Sequence, residues 1–257
     1  MNIVINDQSI NYVVRGEGKP VLLLHGWGAE IDSFAPVTNE LEKGRKVYVI
    51  DFPGFGKSEE PKYAFEVFDF TEIVKGFIET VIGEKTDIIC HSFGGRVTIL
   101  LAAKYPELVD KIVFTDAAGI RPKRGIKYYS KVYSYKFAKK LAKTKSAKKI
   151  FKAVGFDADK KIANSGSEDY RKLNGVMRET FVKVVNEDLT HYLRDIKSPS
   201  LLIYGENDTA TPVRFGKIME REIKDSGLVI LEDAGHFSYL DQFPRYISIV
   251  KVFLGVQ

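Results

Sequence analysis

Short apolar runs alternate with helix-period stretches through the first half of the chain. Val21-Leu22-Leu23-Leu24, Lys46-Val47-Tyr48-Val49-Ile50, Thr86-Asp87-Ile88-Ile89-Cys90 and Lys111-Ile112-Val113-Phe114-Thr115 are nearly continuous in apolar or β-branched side chains. Strands buried on both faces read this way, so the rhythm predicts a parallel sheet with helices on both sides. Two earlier runs, residues 3–5 and 11–14, predict a hairpin ahead of it. From residue 120 to 195 the pattern is helical throughout, broken at Gly155 and at Asn164-Ser165-Gly166-Ser167. Strand-like runs resume at residues 200–204 and 227–231. A helical insertion at residues 120–195 is therefore expected to interrupt a core made of residues 1–119 and 196–257.

Charge sharpens that division. Residues 120–195 carry 20 Lys+Arg against 8 Asp+Glu, net +12, whereas the rest of the chain carries 19 against 26, net −7. The first helix pattern of the insertion places Ile126, Tyr129, Tyr133, Phe137 and Leu141 at steps of three or four, with lysines largely elsewhere around it. The aromatic stripe reads as packing and the lysines as a solvated face. Docking of an acidic partner or an anionic surface is the alternative use of that face. No recognised nucleic-acid motif accompanies it, so a nucleic-acid partner is not expected.

Ser92 stands where the apolar run 86–90 ends and a helix pattern begins, one that stops before Pro106. A strand-to-helix turn this tight strains the backbone of its apex and brings neighbouring chains close, which favours glycine beside it. Gly94 meets that demand and Cys90 departs from it on the earlier side. Such an elbow lifts a hydroxyl above the sheet and aims free N–H groups of the following helix at any anion formed there.

A serine hydroxyl needs a base to become a nucleophile, and the base needs a group to hold its tautomer. His236 follows the last strand pattern, at the sheet edge where Ser92 lies, and is the expected base. His25 and His91 flank the same place and read as orienting or packing residues; His191 reads as a partly buried polar residue. Asp208, in Gly205-Glu206-Asn207-Asp208 just after a strand pattern, is the expected acid. Asp116, at the end of the preceding strand, competes for that role, with Glu206 and Asp233 weaker. The developing oxyanion would be met by the backbone N–H groups of Phe93 and of Trp27, the latter lying between Gly26 and Gly28. The Trp27 indole reads equally as a wall of the acyl pocket or as packing.

Two decoys fall away. Gly56-Lys57-Ser58 ends like a phosphate-binding loop, but the glycine required five positions earlier is Asp51. Asp51 instead reads as the carboxylate of a tight turn, bonding backbone amides. Cys90 lies on the strand and reads as a small buried hydrophobe. As the single cysteine, it can form no internal disulfide and has no companions for a metal site, and no cofactor is expected. No run approaches the roughly 20 apolar residues of a spanning helix, and the first residues lack the basic and apolar regions of a secretory signal, so a cytoplasmic location is expected.

His25-Gly26-Trp27-Gly28, the 51–58 turn, the Ser92 elbow, Gly205 to Asp208 and Gly235-His236 together resemble the α/β-hydrolase superfamily across essentially the whole chain. The resemblance implies a mostly parallel eight-stranded sheet, with residues 120–195 forming a helical cap over the site. A serine where dehalogenases and epoxide hydrolases carry an aspartate implies acyl transfer to water. The loop at Trp27 and the 51–58 turn are similar to those of pimeloyl-acyl-carrier-protein methyl ester esterases, whose protein partner is acidic and whose cap is basic. Carbon–carbon hydrolases of aromatic degradation also look similar.

The expected activity is that of a serine carboxylesterase acting on a small or medium acyl ester. Action on carrier-bound methyl esters, or on a carbon–carbon bond, is the alternative. A non-enzymatic ligand receptor on the same fold is the reading from a different class.

Overall fold

The computed structural model describes residues 1–121 and 173–256. Eight strands form one sheet: β1 (Asn2–Ile5), β2 (Gln8–Arg15), β3 (Pro20–Leu24), β4 (Lys46–Ile50), β5 (Thr86–His91), β6 (Val109–Thr115), β7 (Ser200–Gly205) and β8 (Ser226–Leu231). Their order is β1-β2-β4-β3-β5-β6-β7-β8. The hairpin β1–β2 is antiparallel and β2 joins β4 antiparallel, while β3 to β8 run parallel.

Every side chain of β3 is buried, and the apolar residues of β5 and β6 are buried too. Alternation sends Val21, Leu23, Val49, Ile89 and Ile203 to one face. There they meet Phe34, Val37 and Leu41 around α1 (Ala35–Leu41), and Tyr246, Val250 and Leu254 of α7 (Phe243–Leu254), which follows the short α6 (Ser238–Asp241). The other face carries α2 (Val67–Phe77), α3 (Phe93–Lys104) and α5 (Val213–Glu222). Parallel strands need helical crossovers, and covering both faces is why these strands lack a polar side.

After β3 the chain moves outward to β4, then returns across to β5 on β3's other side. Crossovers on the two sides of that point leave a crevice at the carboxyl ends of β3 and β5, the position where open parallel sheets bind ligands. Leu24 lies opposite Cys90 in register, so residues 25–28 and Ser92 emerge side by side.

The opposite end of the sheet is closed by charge. Asp87, fully buried on β5, accepts from Arg45 Nη1 at 2.8 Å, Lys19 Nζ at 3.1 Å and the Lys111 N–H at 3.1 Å. Arg45 also donates to the carbonyl of Leu254 at the end of α7. A buried carboxylate needs this number of partners to offset its lost hydration.

The chain divides into two compact units, residues 1–121 with 179–257, and residues 122–178. Within the interval 120–195 the described residues include α4 (Gly175–Asn186) and a 3-10 turn, Thr190–Asp195. The stripe of Ile126, Tyr129, Tyr133, Phe137 and Leu141 with its lysines, Gly155 and the 164–167 turn lie outside the described residues. No helix among the described residues is long and apolar enough to cross a membrane.

Candidate active site

Ser92 caps the start of α3 with φ of +48° and ψ of −107°, a conformation a non-glycine residue adopts only under constraint. Three bonds hold it there. Its N–H donates to the Thr115 carbonyl at 3.1 Å, and its own carbonyl accepts from Gly95 at 3.0 Å and from Ala118 at 2.9 Å. Gly94 is required by close approach, since a Cβ there would fall 2.2 Å from the Leu24 carbonyl oxygen. The Gly94 N–H donates to His25 O at 3.1 Å, which joins the elbow to the loop after β3. Cys90, on the earlier side, fits as a wholly buried side chain whose thiol is pushed up to about 12 by burial.

His236 Nε2 lies 3.0 Å from Ser92 Oγ, and His236 Nδ1 lies 2.8 Å from Asp208 Oδ2. An ionised carboxylate can only accept, so Nδ1 carries the proton and the Nε2 lone pair faces the serine hydroxyl. Asp208 Oδ1 accepts the N–H groups of Ala210 at 2.7 Å and Thr211 at 3.0 Å, and the Thr211 hydroxyl reaches Oδ2 at 2.6 Å. Burial pushes the Asp208 carboxyl up, but the hydrogen bonds from His236 and Thr211 outweigh it and hold it below the ordinary carboxylate range. Thr211, also 3.1 Å from His236 Nδ1, is missing from the sequence reading. Its spacing of three from Asp208 is the signal of a local side-chain-to-backbone turn.

The competing acids lie elsewhere. Asp116 is buried with φ of +44°, and its carboxylate accepts the Gly205 N–H at 2.8 Å and the Ser238 N–H at 3.0 Å. Burial raises it to about 7 against the pull of those bonds. Glu206 and Asp233 are exposed beside each other, Glu206 Oε2 3.4 Å from the Asp233 N–H.

The other histidines divide into two kinds. His25 is fully buried, donating from Nδ1 to Gly26 O at 2.7 Å and accepting the Phe52 N–H at Nε2 at 3.0 Å, and burial lowers it to about 4. It thereby ties the loop after β3 to the one after β4. His91 is buried against the His236, Phe237 and Tyr239 rings. His191, expected to be partly buried, is exposed beside Tyr192, because the turn it occupies faces outward there.

The loop after β3 approaches Ser92 closely. A Cβ on Gly26 would lie 2.7 Å from His91 Nδ1 and 3.4 Å from Ser92 Cβ, so only glycine fits without a shift. The N–H groups of Trp27 and Phe93 donate to no partner among the described residues. The Trp27 indole is half-buried and meets Phe55, Phe93 and Phe181 edge-on at 4.9–5.3 Å. Asp51 makes the expected turn: Oδ1 accepts the Ile31 N–H at 2.8 Å, and Oδ2 accepts from the Lys57 N–H at 2.9 Å and Asn11 Nδ2 at 2.7 Å.

A doubly covered parallel sheet with a strained serine after its fifth strand, and an acid and a histidine after its seventh and eighth, defines the α/β-hydrolase class. The chain belongs to that family: residues 19–243 match the family described as alpha/beta hydrolase fold. It is 26% identical to the AB hydrolase superfamily protein YisY of Bacillus subtilis, covering 93% of this chain and 92% of the relative. It is 28% identical to a pimeloyl-[acyl-carrier protein] methyl ester esterase of Neisseria meningitidis, covering 92% and 93%. Among solved structures, the esterase EaEST of Exiguobacterium antarcticum superposes with a TM-score of 0.76 at 22% identity, covering 99% of this chain and 98% of that one.

Proposed function

We propose that the protein is a serine carboxylesterase working through an acyl-enzyme. The observation that carries this reading is the unbroken hydrogen-bonded chain from Ser92 Oγ through His236 to Asp208. His236 Nε2 takes the hydroxyl proton as Ser92 Oγ attacks the ester carbonyl carbon. The Trp27 and Phe93 N–H groups receive the resulting oxyanion, where charge develops only in the transition state. The imidazolium, stabilised by Asp208, returns its proton to the departing alcohol, leaving the acyl group on Ser92. Water then loses a proton to His236 and attacks the acyl carbon, and as the bond from that carbon to Ser92 Oγ breaks, His236 returns the proton to Oγ and the acid leaves.

In this reading residues 120–195 form a cap that shapes the acyl pocket. Hydrolysis of a short p-nitrophenyl ester tests the assignment. Ser92→Ala should lower kcat by ~10³-fold or more. Undiminished turnover in that variant would refute it, and a stoichiometric acyl burst without turnover would favour a receptor.

A second reading narrows the substrate to a methyl ester carried on an acidic protein. The likeness to the Neisseria esterase and the net +12 of residues 120–195 favour it. Electrostatic capture of such a carrier weakens with salt. Absence of binding to an acyl carrier protein at low ionic strength would remove this reading.

A further inference from the structure

Asp116 lies one residue beyond β6, between the strand that supports Ser92 and the one that leads to Asp208. All four of its polar atoms are engaged, and all of them on the segments that carry the acid and the base. Its N–H donates to Ile203 O at 2.8 Å and Oδ1 accepts from Gly205 at 2.8 Å, both on β7. Its carbonyl lies 2.8 Å from the Thr211 hydroxyl, in the loop that bears Asp208, and shares that one proton with Asp208 Oδ2. Oδ2 accepts from Ser238 at 3.0 Å, two residues after His236. Its carboxylate bonds to these two segments and not to His236.

A buried carboxylate is a costly way to fill space, and a neutral side chain would do so without the desolvation penalty. What the carboxyl offers is two oxygens that both accept, suited to two N–H groups arriving from different segments, and it keeps that capacity when it takes up a proton. The isosteric asparagine would turn an NH₂ toward one of those donors. The left-handed backbone at residue 116, which aspartate tolerates better than most residues, belongs to the same arrangement.

We infer that Asp116 is a positioning residue that holds the segments bearing Asp208 and His236 in register with each other and with Ser92. This rests on the reading of Ser92, His236 and Asp208 as the reacting groups. It acts through Gly205, Ser238 and Thr211, without touching substrate. Its contribution is to distance and angle in the relay, where a displacement on the order of 1 Å can cost ~10²-fold in rate.

The test compares Asp116→Asn, Thr211→Val and Ser92→Ala by p-nitrophenyl acetate hydrolysis and by the downfield proton resonance of His236 Nδ1–H. Asp116→Asn should lower kcat by ~10–100-fold with KM changed by less than about 2-fold, and should shift or broaden the resonance. Thr211→Val, which removes a direct hydrogen bond to Asp208, sets the scale of a disturbed relay, and Asp116→Ala decides the matter by the same two readouts if Asp116→Asn does not fold. Ser92→Ala should abolish turnover and leave the resonance in place. A folded Asp116→Asn protein with kcat within about 3-fold of the parent and an unmoved resonance would overturn the inference. Retained turnover in Ser92→Ala would instead locate the failure in the hydrolase reading, with the resonance still reporting on Asp116.

Discussion

His91 Nε2 lies 2.7 Å from the carbonyl oxygen of His236 and donates to it, so the residue before Ser92 holds the main chain of His236. The ring does this while neutral: burial, then the neighbouring His236, lowers His91 to about 3.

That neutrality has a pH signature. His91 and His25, at about 3 and about 4 when folded, return to the ordinary 6.5 on unfolding. The unfolded chain then binds more protons, so their contribution to stability is complete above pH 6.5 and is lost as pH falls through that window. Asp116 acts in the opposite sense, being raised to about 7 from 3.8. Its contribution is complete below 3.8 and is lost as pH rises through about 7. Each proton is worth about 1.4 kcal/mol per pH unit. Urea unfolding between pH 4 and 6.5 should therefore find the acid loss of stability steeper by about one proton in Asp116→Asn and shallower by about one in His91→Gln. An unchanged slope in Asp116→Asn would mean that the native carboxyl takes up no proton there.

Asp208→Asn should keep the fold and lose the tautomer. An asparagine can turn its NH₂ toward Nδ1, which then carries no proton, and Nε2–H faces Ser92 as a donor instead of a base. A fall in kcat of ~10³–10⁴-fold, with the melting temperature little moved, is the expected outcome of ester-hydrolysis and thermal-melt measurements. A fall below about 10-fold would assign the acid elsewhere.

Gly94→Ala tests the elbow itself. The added methyl meets main-chain oxygen, which cannot rotate away, so α3 or β3 must shift. Chemical denaturation should show a loss of about 1–3 kcal/mol. Reactivity of Ser92 toward a fluorophosphonate should fall in the same protein, because the start of α3 carries both the serine and the Phe93 N–H.

Cys90 should be silent in the native protein. Its burial and raised thiol keep it from reacting with Ellman's reagent at neutral pH, and full reaction should require denaturant. Rapid labelling without denaturant would contradict the packing at the elbow.

The strands were legible because burial on both faces leaves an apolar run with sharp polar ends; β4 matches the expected residues 46–50, and β5 extends only to His91 beyond its run. Ser92 was legible from the meeting of strand and helix patterns, and His236 from its place after the last strand. Between Asp116 and Asp208 position alone was a weaker guide, since each follows a strand at the same edge. What separates them is the turn at Asp208, with Thr211 presenting the carboxylate to His236, against the left-handed turn that sends Asp116 to Gly205 and Ser238. Such contacts join residues 89 and 122 positions apart, beyond the reach of any local pattern.

The buried Asp87 cluster and the Ser92 relay occupy opposite ends of β5. The ion cluster and the candidate site thus have separate addresses on one strand. A change in the Arg45–Asp87 pair would therefore be felt first in the anchorage of β5 to Lys111 and to the end of α7, a strand's length from Ser92, so the scaffold can be softened there while the elbow keeps its own bonds.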